Sequence, residues 1–344
     1  MVKMINVDHN LPPRVVSLGV PRLCLALCLL IAPLALAQRS NASASAEALE
    51  WVAPTQPSGV VSRFALGATD GVSDAPSLAL KARDPFRTAV LVAASVGLTA
   101  AYGKAHWWQD GFSGQFKTVN EGWFGPGTAN GGADKLGHAM FSYTGTRLLT
   151  RAFEWAGHDP GNALKLGLLT SVGTLMGVEL LDGYSKQWRF SKEDAILNLA
   201  GGALAYWLET HRGADALIDF RLQYSRSTGP QGRRSFSPFG DYSGQRYLVV
   251  FKASGVPVLR QQPILRYLEF NLGYGARNFE TESAGLLAPT RHAYYGVSLD
   301  LAELMRATVY RGNTSPSLSQ RVSEAFFEYV QVPGATAQGD QVIR

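Results

Sequence analysis

Acidic side chains and one histidine recur at helical spacing in the middle of the chain. Asp134 and His138 are four positions apart, so both side chains project from one face if this segment is a helix. Glu179 and Asp182 are three positions apart and share a helical face in the same way. Carboxylates and imidazoles bind divalent cations and transfer protons. The spacing therefore predicts metal-binding or acid–base chemistry, provided that the helices bring the two pairs together.

A third pair lies further along the chain, in apolar surroundings. Asp194 and Asn198 repeat the four-residue spacing, and the segment continues into Gly201 and Gly202, which allow close contact between helices. Glu179 likewise continues an apolar stripe on its own helix. An acidic group that faces a packed interior must be paired, hydrogen-bonded or bound to a cation. On the preceding segment, Gly173 and Gly177 are small residues that we expect to allow close contact with a neighbouring helix.

We expect three helices to bring these groups to one polar centre. Its predicted members are Asp134, Lys135, His138, Glu179, Asp182, Asp194 and Asn198. Lys135 is the candidate counter-ion, while His138, Glu179 and Asp194 are the candidate metal ligands and catalytic groups. Such a set suits Mg²⁺, Mn²⁺ or Zn²⁺, and the sequence defines no cofactor beyond this candidate divalent metal. Glu179 or Asp194 would act as general base on bound water, with His138 as a ligand or proton relay.

Each member of the centre also has a structural interpretation. Asp134 follows Gly-Gly-Ala, which is typical of a helix N-cap, and Ser191 with Asp194 fits a capping box. His138 is equally typical of a buried histidine bonded to a nearby carboxyl group, and Asn198 of an amide that ties two helices together. A structural polar network therefore remains the alternative to a ligand or catalytic site.

Several function classes are excluded or unsupported. The chain has 344 residues, of which 46% are hydrophobic and 17% charged, so it is not intrinsically disordered over most of its length. Its net charge of +5 is spread among interspersed acidic and basic residues, so nucleic acid is not an expected partner. The sequence contains no Gly-x-Ser-x-Gly, His-Glu-x-x-His or Walker motif, and the glycines of residues 125–132 lack phosphate-loop spacing.

The elements that must position these groups are predicted to be helices followed by strands. Helices are predicted for Arg87–Tyr102, Asp134–Trp155, Asn162–Leu181 and Ser191–Glu209. Short connections between them indicate an antiparallel bundle of about four short apolar helices. Period-two alternation predicts half-buried strands at Tyr267–Asn278 and His292–Leu301, and weaker strand candidates are Tyr247–Ala253 and Ala325–Val332. The expected fold class is α+β, with the helical bundle followed by a small antiparallel β-strand module that packs on the bundle or lies at a membrane surface.

The N-terminus has the three-part layout of a secretory signal peptide. A basic flank precedes the apolar run Leu23–Leu36, and Ala35-Leu36-Ala37 is a small-x-small cleavage site. Both cysteines, Cys24 and Cys28, lie in this segment without a convincing lipoprotein box, so the mature chain is expected to contain neither disulfide nor thiol. We expect export to the bacterial periplasm or outer envelope.

The domain organisation follows from these patterns. The predicted boundaries are 1–37 signal peptide, 38–83 flexible linker, 84–212 helical bundle, 213–244 loop, 245–334 strand module and 335–344 disordered tail. The helices Arg87–Tyr102 and Asn162–Leu181 are strongly apolar but short or charged near their ends, which favours a peripheral or partly embedded domain over full membrane spans. The expected partner is the envelope membrane, together with an envelope lipid or protein.

The polar motifs resemble those of one known family. The segments Gly131–His138, Glu179–Gly183 and Trp188–Asp194, with Asn198 and Gly201, resemble the YfiM-like family of bacterial periplasmic proteins and lipoproteins of unknown function. Their order is more distantly similar to VanZ-like membrane proteins, which are linked to glycopeptide resistance. The resemblance implies an envelope location and a shared polar centre, and it implies no established reaction.

Two function classes are therefore expected. We favour an uncharacterised, membrane-associated envelope protein in which the centre specifies helix register and the strand module is a docking surface. The alternative is a metal- or acid/base-dependent enzyme that acts on an envelope lipid, phosphate or glycan. Glu179→Gln and Glu179→Leu distinguish them, because a structural network tolerates glutamine better whereas a catalytic carboxylate tolerates neither.

Overall fold

The computed structural model describes residues 83–234, 236–279 and 286–343. The predicted signal peptide and all of the predicted linker except Arg83 lie outside these residues. The helices are α1 Pro85–His106, α2 Ala133–Trp155, α3 Pro160–Tyr184, α4 Lys192–Thr210, α5 Arg212–Leu217, α6 Pro257–Arg260, α7 Leu301–Ala307 and α8 Leu318–Tyr329. The strands are β1 Thr118–Val119, β2 Phe190–Ser191, β3 Ile218–Tyr224, β4 Thr228–Gly229, β5 Gly232–Arg233, β6 Gln245–Lys252, β7 Leu268–Arg277, β8 Thr290–Leu299, β9 Val330–Gln331 and β10 Thr336–Ile343.

The long helices begin at side chains that cap their first turn. Asp84 accepts a hydrogen bond from the backbone N–H of α1, and Asp159 does the same for α3, each directly before a proline. Ser191 caps α4 in the same way. These caps satisfy donors that a helix start leaves without partners, and they explain why the helices begin within two residues of their predicted positions.

Helix α2 contacts both α3 and α4 along its length, and α1 packs more sparsely against α3. Within α1 only Leu91 and Gly103 are buried. By length and composition alone, α1 and α3 are both able to cross a membrane. The mixed α and β character of the chain is confirmed, while the antiparallel bundle stays a prediction.

The main sheet has the strand order β10–β8–β7–β6–β3–β9. Neighbouring strands are antiparallel except for β3 and β9, which are parallel, so the sheet is mixed rather than purely antiparallel. One continuous segment, 330–343, supplies both β9 at one edge and β10 at the other. The free backbone groups of β3 and β8 thereby gain partners from the same stretch of chain.

Three sequence predictions are corrected here. The predicted disordered tail at 335–344 is strand β10 over Thr336–Ile343, because its backbone pairs with the whole length of β8. The weak strand candidate Ala325–Val332 is helical up to Tyr329, and only Val330–Gln331 is extended. The predicted loop 213–244 contains β3, whose seven residues pair with β6 in the main sheet.

The alternation in the strands is confirmed, but the buried face is the polar one. On β7, Glu269 and Asn271 are 2% and 0% exposed, whereas Phe270 and Leu272 are each 46% exposed. The polar side chains are buried at low cost because they satisfy one another: Arg221 donates hydrogen bonds to Glu269 at 2.7 and 2.9 Å. We call the polar side of the sheet the inner face and the apolar side the outer face.

The outer face contacts the helices at one end only. There Phe220 and Tyr247 join Met140, Tyr143 and Leu208 in one apolar core. The rings of Tyr143 and Phe220 lie 5.8 Å apart in an edge-on arrangement. This core fixes α2 and α4 against the sheet and thereby fixes the helix faces that carry the predicted polar centre.

Candidate functional site

The start of α2 is set by a tight turn at residues 129–132. Asn130, Gly131 and Gly132 have φ values of 44°, 61° and 85°, in the left-handed region that favours glycine. The Tyr274 hydroxyl donates a hydrogen bond to the Gly131 carbonyl at 2.5 Å and ties the turn to β7. The N-cap of α2 is Gly132, so the interpretation of Asp134 as an N-cap is wrong. Asp134 lies in the first helical turn instead.

Lys135 is the charged group at the middle of the site. Its side chain is 0% exposed, and its Nζ lies 2.9 Å from Glu121 and 3.5 Å from both Asp134 and Asp194. The predicted counter-ion is therefore brought against two of the predicted carboxylates. Sequence reasoning missed Glu121, because it lies in a glycine-rich loop without helical periodicity; its place at the start of that loop was the only available signal.

His138 is on α2, and its 27% exposed side chain faces α3 and α4. Its Nδ1 is 3.2 Å from the Asn198 Oδ1 and 3.5 Å from the Glu179 Oε1, so these three predicted residues meet. A neutral imidazole that donates from Nδ1 to Asn198 leaves Nε2 free to accept a proton or bind a cation. Among the described residues, no protein atom hydrogen-bonds to Nε2.

Ser191 connects the cap of α4 to α3. Its hydroxyl accepts a hydrogen bond from the Asp194 backbone N–H, which confirms the predicted N-cap. The Ser191 backbone N–H hydrogen-bonds to the Glu179 carboxyl group. A capping box would have filled this donor with the Asp194 carboxyl group. Because Glu179 takes that role, the Asp194 carboxyl group is left to face Lys135.

Asp182 lies near the centre but points to a different partner. The indole N–H of Trp108 donates a hydrogen bond to the Asp182 Oδ1 at 2.6 Å. Trp108 is 7% exposed and follows α1, so the bond ties the end of α1 to α3. Asp182 is thus placed in the wall of the centre rather than among the groups around His138.

Burial alters the protonation of these groups. Loss of solvation raises the pKa of Asp134 to about 7, that of Glu179 to about 9 and that of Asp182 to about 6. Burial also raises the pKa of Glu121 and lowers that of His138. Burial alone would lower the pKa of the Lys135 ammonium, but the surrounding carboxylates outweigh it and raise that pKa.

Carboxyl groups outnumber cationic side chains at this centre. The carboxyl groups in mutual electrostatic contact belong to Glu121, Asp134, Glu179, Asp182 and Asp194, and the ammonium of Lys135 is the cation among them. Two sets of three residues each offer ligand atoms that all lie within 4.8 Å of one another. One set is His138, Glu179 and Asp194, and the other is Glu121, Asp134 and Asp194. Buried atoms that lack a hydrogen-bond partner among the described residues include Asp134 Oδ1, Asp194 Oδ1 and Asn198 Nδ2.

The glycines of α4 make this convergence possible. A Cβ on Gly201 would lie 2.0 Å from the Ala139 carbonyl oxygen, and one on Gly202 would lie 2.5 Å from Val172. Both positions therefore require glycine for close contact with α2 and α3. The same expectation is wrong for Gly173 and Gly177 on α3, where an added Cβ would meet nothing within 4 Å.

Comparison with known proteins bears on the segment that carries the centre. Residues 120–210 match the family model described as predicted periplasmic lipoprotein (DUF2279). The match starts just before Glu121 and ends with α4, so it includes every residue of the centre described above except Trp108. No curated protein and no solved structure matches the chain.

The family description agrees with the location predicted from the sequence. The chain is an exported protein of the periplasm or outer envelope that is associated with a membrane. It resembles an uncharacterised family of envelope proteins over the matched segment. The description names a lipoprotein, whereas neither Cys24 nor Cys28 lies in a convincing lipoprotein box; both cysteines lie outside the described residues.

Proposed function

We propose that this envelope protein binds a divalent cation at the centre between α2, α3 and α4. The observation that carries the proposal is the excess of carboxyl groups around a single buried ammonium, with three ligand atoms of His138, Glu179 and Asp194 within 4.8 Å. Isolated carboxylates cannot stay ionised in a buried site unless they are paired. A divalent cation supplies the missing positive charge and suits carboxylate oxygens together with one imidazole.

Asp194 supports this proposal most directly. It is 6% exposed, its Oδ1 lacks a hydrogen-bond partner among the described residues, and it belongs to both candidate ligand sets. Asn198 would orient His138 through the Nδ1–Oδ1 contact, as the supporting residues of metal sites do. Glu121 and Asp134 would form the second ligand set around the same aspartate.

The position of His138 favours chemistry over a purely structural ion. Structural metal sites are closed by protein ligands, whereas catalytic sites keep one side open. Because its side chain is 27% exposed, the centre has a face through which a substrate would enter. We propose metal-assisted hydrolysis of a phosphate, glycan or lipid ester of the envelope as the reaction class. Lys135 would hold Asp134 and Asp194 in place without contacting substrate, since it is fully buried.

A structural scaffold is the second candidate, and one observation favours it. Lys135 joins the loop at Glu121, the start of α2 and the start of α4 through three ion pairs inside the protein. Such a network specifies how helices are aligned even when it performs no reaction. In this candidate the helices form an antiparallel bundle, and the strand module provides the docking surface.

We also propose that the chain is a YfiM-like protein. The matched segment 120–210 overlaps the motifs that resemble that family, and both descriptions place their members in the periplasm. The more distant likeness to VanZ-like membrane proteins is supported only by the order of the same motifs.

Metal content decides between the two candidates. The protein is purified without chelators, and its metal is measured per chain beside His138→Ala and a control, His211→Ala, which changes an exposed histidine at the end of α4. We expect near-stoichiometric metal in the parent and in the control, and its loss in His138→Ala.

Two glutamate variants test what the site does with the metal. Glu179→Gln keeps a polar partner for the Ser191 N–H, whereas Glu179→Leu removes it, so we expect only the second to destabilise the fold strongly. Hydrolysis of an envelope ester should be lost in both. A well-folded, metal-free parent protein would overturn the cation proposal and leave the scaffold.

A further inference from the structure

The outer face of the sheet is apolar, and at the end away from the helical core no described residue covers it. Across three neighbouring strands, Val249 lies beside Leu272, and Leu272 lies beside Tyr295. Two residues along the same strands, Phe270 lies beside Val297. These side chains are between 38% and 54% exposed, whereas Val250, Asn271 and Ser298, their strand neighbours on the inner face, are buried.

This arrangement is the reverse of that in a soluble sheet, which buries its apolar face and exposes its polar one. Here the inner face holds Arg221, Glu269 and Asn271, each at most 3% exposed. Burying charged groups while exposing aromatic and aliphatic ones is unfavourable in water. It becomes favourable when the outer face contacts an apolar medium.

The connection between β6 and β7 extends the same surface. Val258 is 68% exposed and Ile264 is 73% exposed, and both lie at the end of the sheet where the outer face is uncovered. Arg260 lies between them, is exposed and has no acidic partner among the described residues. Its Nε donates a hydrogen bond to the Ser254 carbonyl at 2.6 Å. An exposed guanidinium without an acidic partner, beside an apolar surface, fits the phosphate layer of a membrane.

Helix α8 shows the same reversal independently. Leu318, Val322 and Phe326 recur every four residues and are all exposed, so they form one apolar stripe on the helix. Together with Met305 of α7 they line a shallow apolar groove. On the opposite side of α8, the polar side chain of Gln320 is buried. Amphipathic helices of this kind lie at the surface of a bilayer.

We infer that the strand module docks on the lipid bilayer of the envelope. The docking surface consists of Val249, Phe270, Leu272, Tyr295, Val297 and Leu299, together with the tip formed by Val258 and Ile264. Its apolar side chains enter the acyl region, and Arg260 binds the headgroup phosphate of an anionic phospholipid. The occupant is lipid rather than a second copy because the surface ends in a cation without an acidic partner among the described residues, and because the protein is associated with an envelope membrane. The inference does not depend on the proposed cation centre.

The test measures the membrane depth of single positions in the full-length chain. Cys24 and Cys28 are replaced by serine, and an environment-sensitive fluorophore is attached to Phe270→Cys, Val297→Cys or a control, Gln341→Cys. Gln341 is exposed and lies opposite Ala293, on the outer face but at the far end of the sheet. The protein is added to vesicles of phosphatidylethanolamine and phosphatidylglycerol that carry a nitroxide on the acyl chain.

We expect several-fold higher emission from labels at 270 and 297 on vesicle binding, quenching by the nitroxide and loss of access to aqueous iodide. The label at 341 should stay accessible to iodide. Equal iodide access at all three positions with vesicles, or equal nitroxide quenching at 341, would overturn the inference. Protection of 270 and 297 without vesicles, rising with protein concentration, would identify a second copy as the occupant and would also overturn it.

A second comparison tests the surface without labels. Phe270→Asp combined with Val297→Asp should lower the vesicle-bound fraction several-fold while circular dichroism stays unchanged, because both side chains are already exposed. Gln341→Asp is the matched control and should bind as the parent does. Unchanged binding of the double variant would contradict the inference even if the metal content of the protein is as proposed.

Discussion

Replacing Lys135 with methionine removes the positive charge from the middle of the polar centre. The ammonium is 0% exposed and lies 2.9, 3.5 and 3.5 Å from oxygens of Glu121, Asp134 and Asp194. At an effective dielectric constant of about 20, each of these contacts contributes about 5 kcal/mol of attraction. The dehydration of four charged groups offsets most of that sum. Removing one partner of such a buried network costs a net of about 3–5 kcal/mol in the free energy of unfolding.

The assay is chemical denaturation of Lys135→Met and of a matched control, Lys192→Met, in metal-free buffer. The Lys192 side chain is 62% exposed, and its ion pair with Glu193 is 3.9 Å long, so the control should cost less than about 0.5 kcal/mol. Thermal unfolding of Lys135→Met should begin on the order of 10 °C lower than that of the parent. Addition of Mg²⁺ or Zn²⁺ should restore part of the loss, because the cation replaces the missing charge.

A small loss of stability in Lys135→Met would contradict this prediction. The contradicting result is a loss of less than about 1 kcal/mol in the free energy of unfolding of Lys135→Met, which is no more than a surface ion pair contributes. In that case the carboxyl groups must be protonated in the parent as well. The charge excess at the centre would then be removed by protons, and the argument for a bound cation would lose its basis.

Two further predictions concern packing and pH. Gly201→Ala should destabilise the fold by about 2–3 kcal/mol, because a Cβ 2.0 Å from the Ala139 carbonyl oxygen forces α2 and α4 apart. The control is Gly173→Ala, where an added Cβ meets nothing within 4 Å. Equal unfolding midpoints of the two variants would contradict this expectation. Burial raises the pKa of Asp134 from 3.8 to about 7, so the folded state holds this proton more tightly than the unfolded state. Its stabilising contribution is complete below pH 3.8 and is lost as the pH rises through about 7. The metal-free parent should therefore lose more stability than Asp134→Asn between pH 4 and pH 7 in denaturation midpoints, and parallel pH profiles would show that Asp134 does not titrate as described.

The helices show how far local patterns reach. Asp84, Asp159 and Ser191 mark helix starts because capping is a contact between residues three positions apart, which the sequence displays directly. The pairing of His138 with Asn198 and Glu179 was also predictable, since helical spacing gives each residue a face and the surrounding small and apolar residues indicate which face is buried.

The site contains two features that no spacing could reveal. Glu121 reaches Lys135 from a loop whose path is set by the left-handed turn at 130–132 and by its bond to Tyr274. Asp182 shares the helical face of Glu179, but it accepts a hydrogen bond from Trp108, which lies just after the end of α1. Both contacts join distant segments, and a single sequence carries no record of such contacts.

The sequence by itself determined the four long helices and strands β6, β7 and β8, the export signal as a prediction, and which residues share a face of these elements. These properties depend on neighbours within a few positions, where backbone geometry fixes a period of 3.6 or 2 residues. Only the tertiary structure decided which face of the sheet is buried. Period-two alternation is identical for a sheet with its apolar side inside or outside, and the choice here was made by contacts such as Arg221 with Glu269, 48 positions apart. Segment 330–343 then pairs with both edges and encloses those charges.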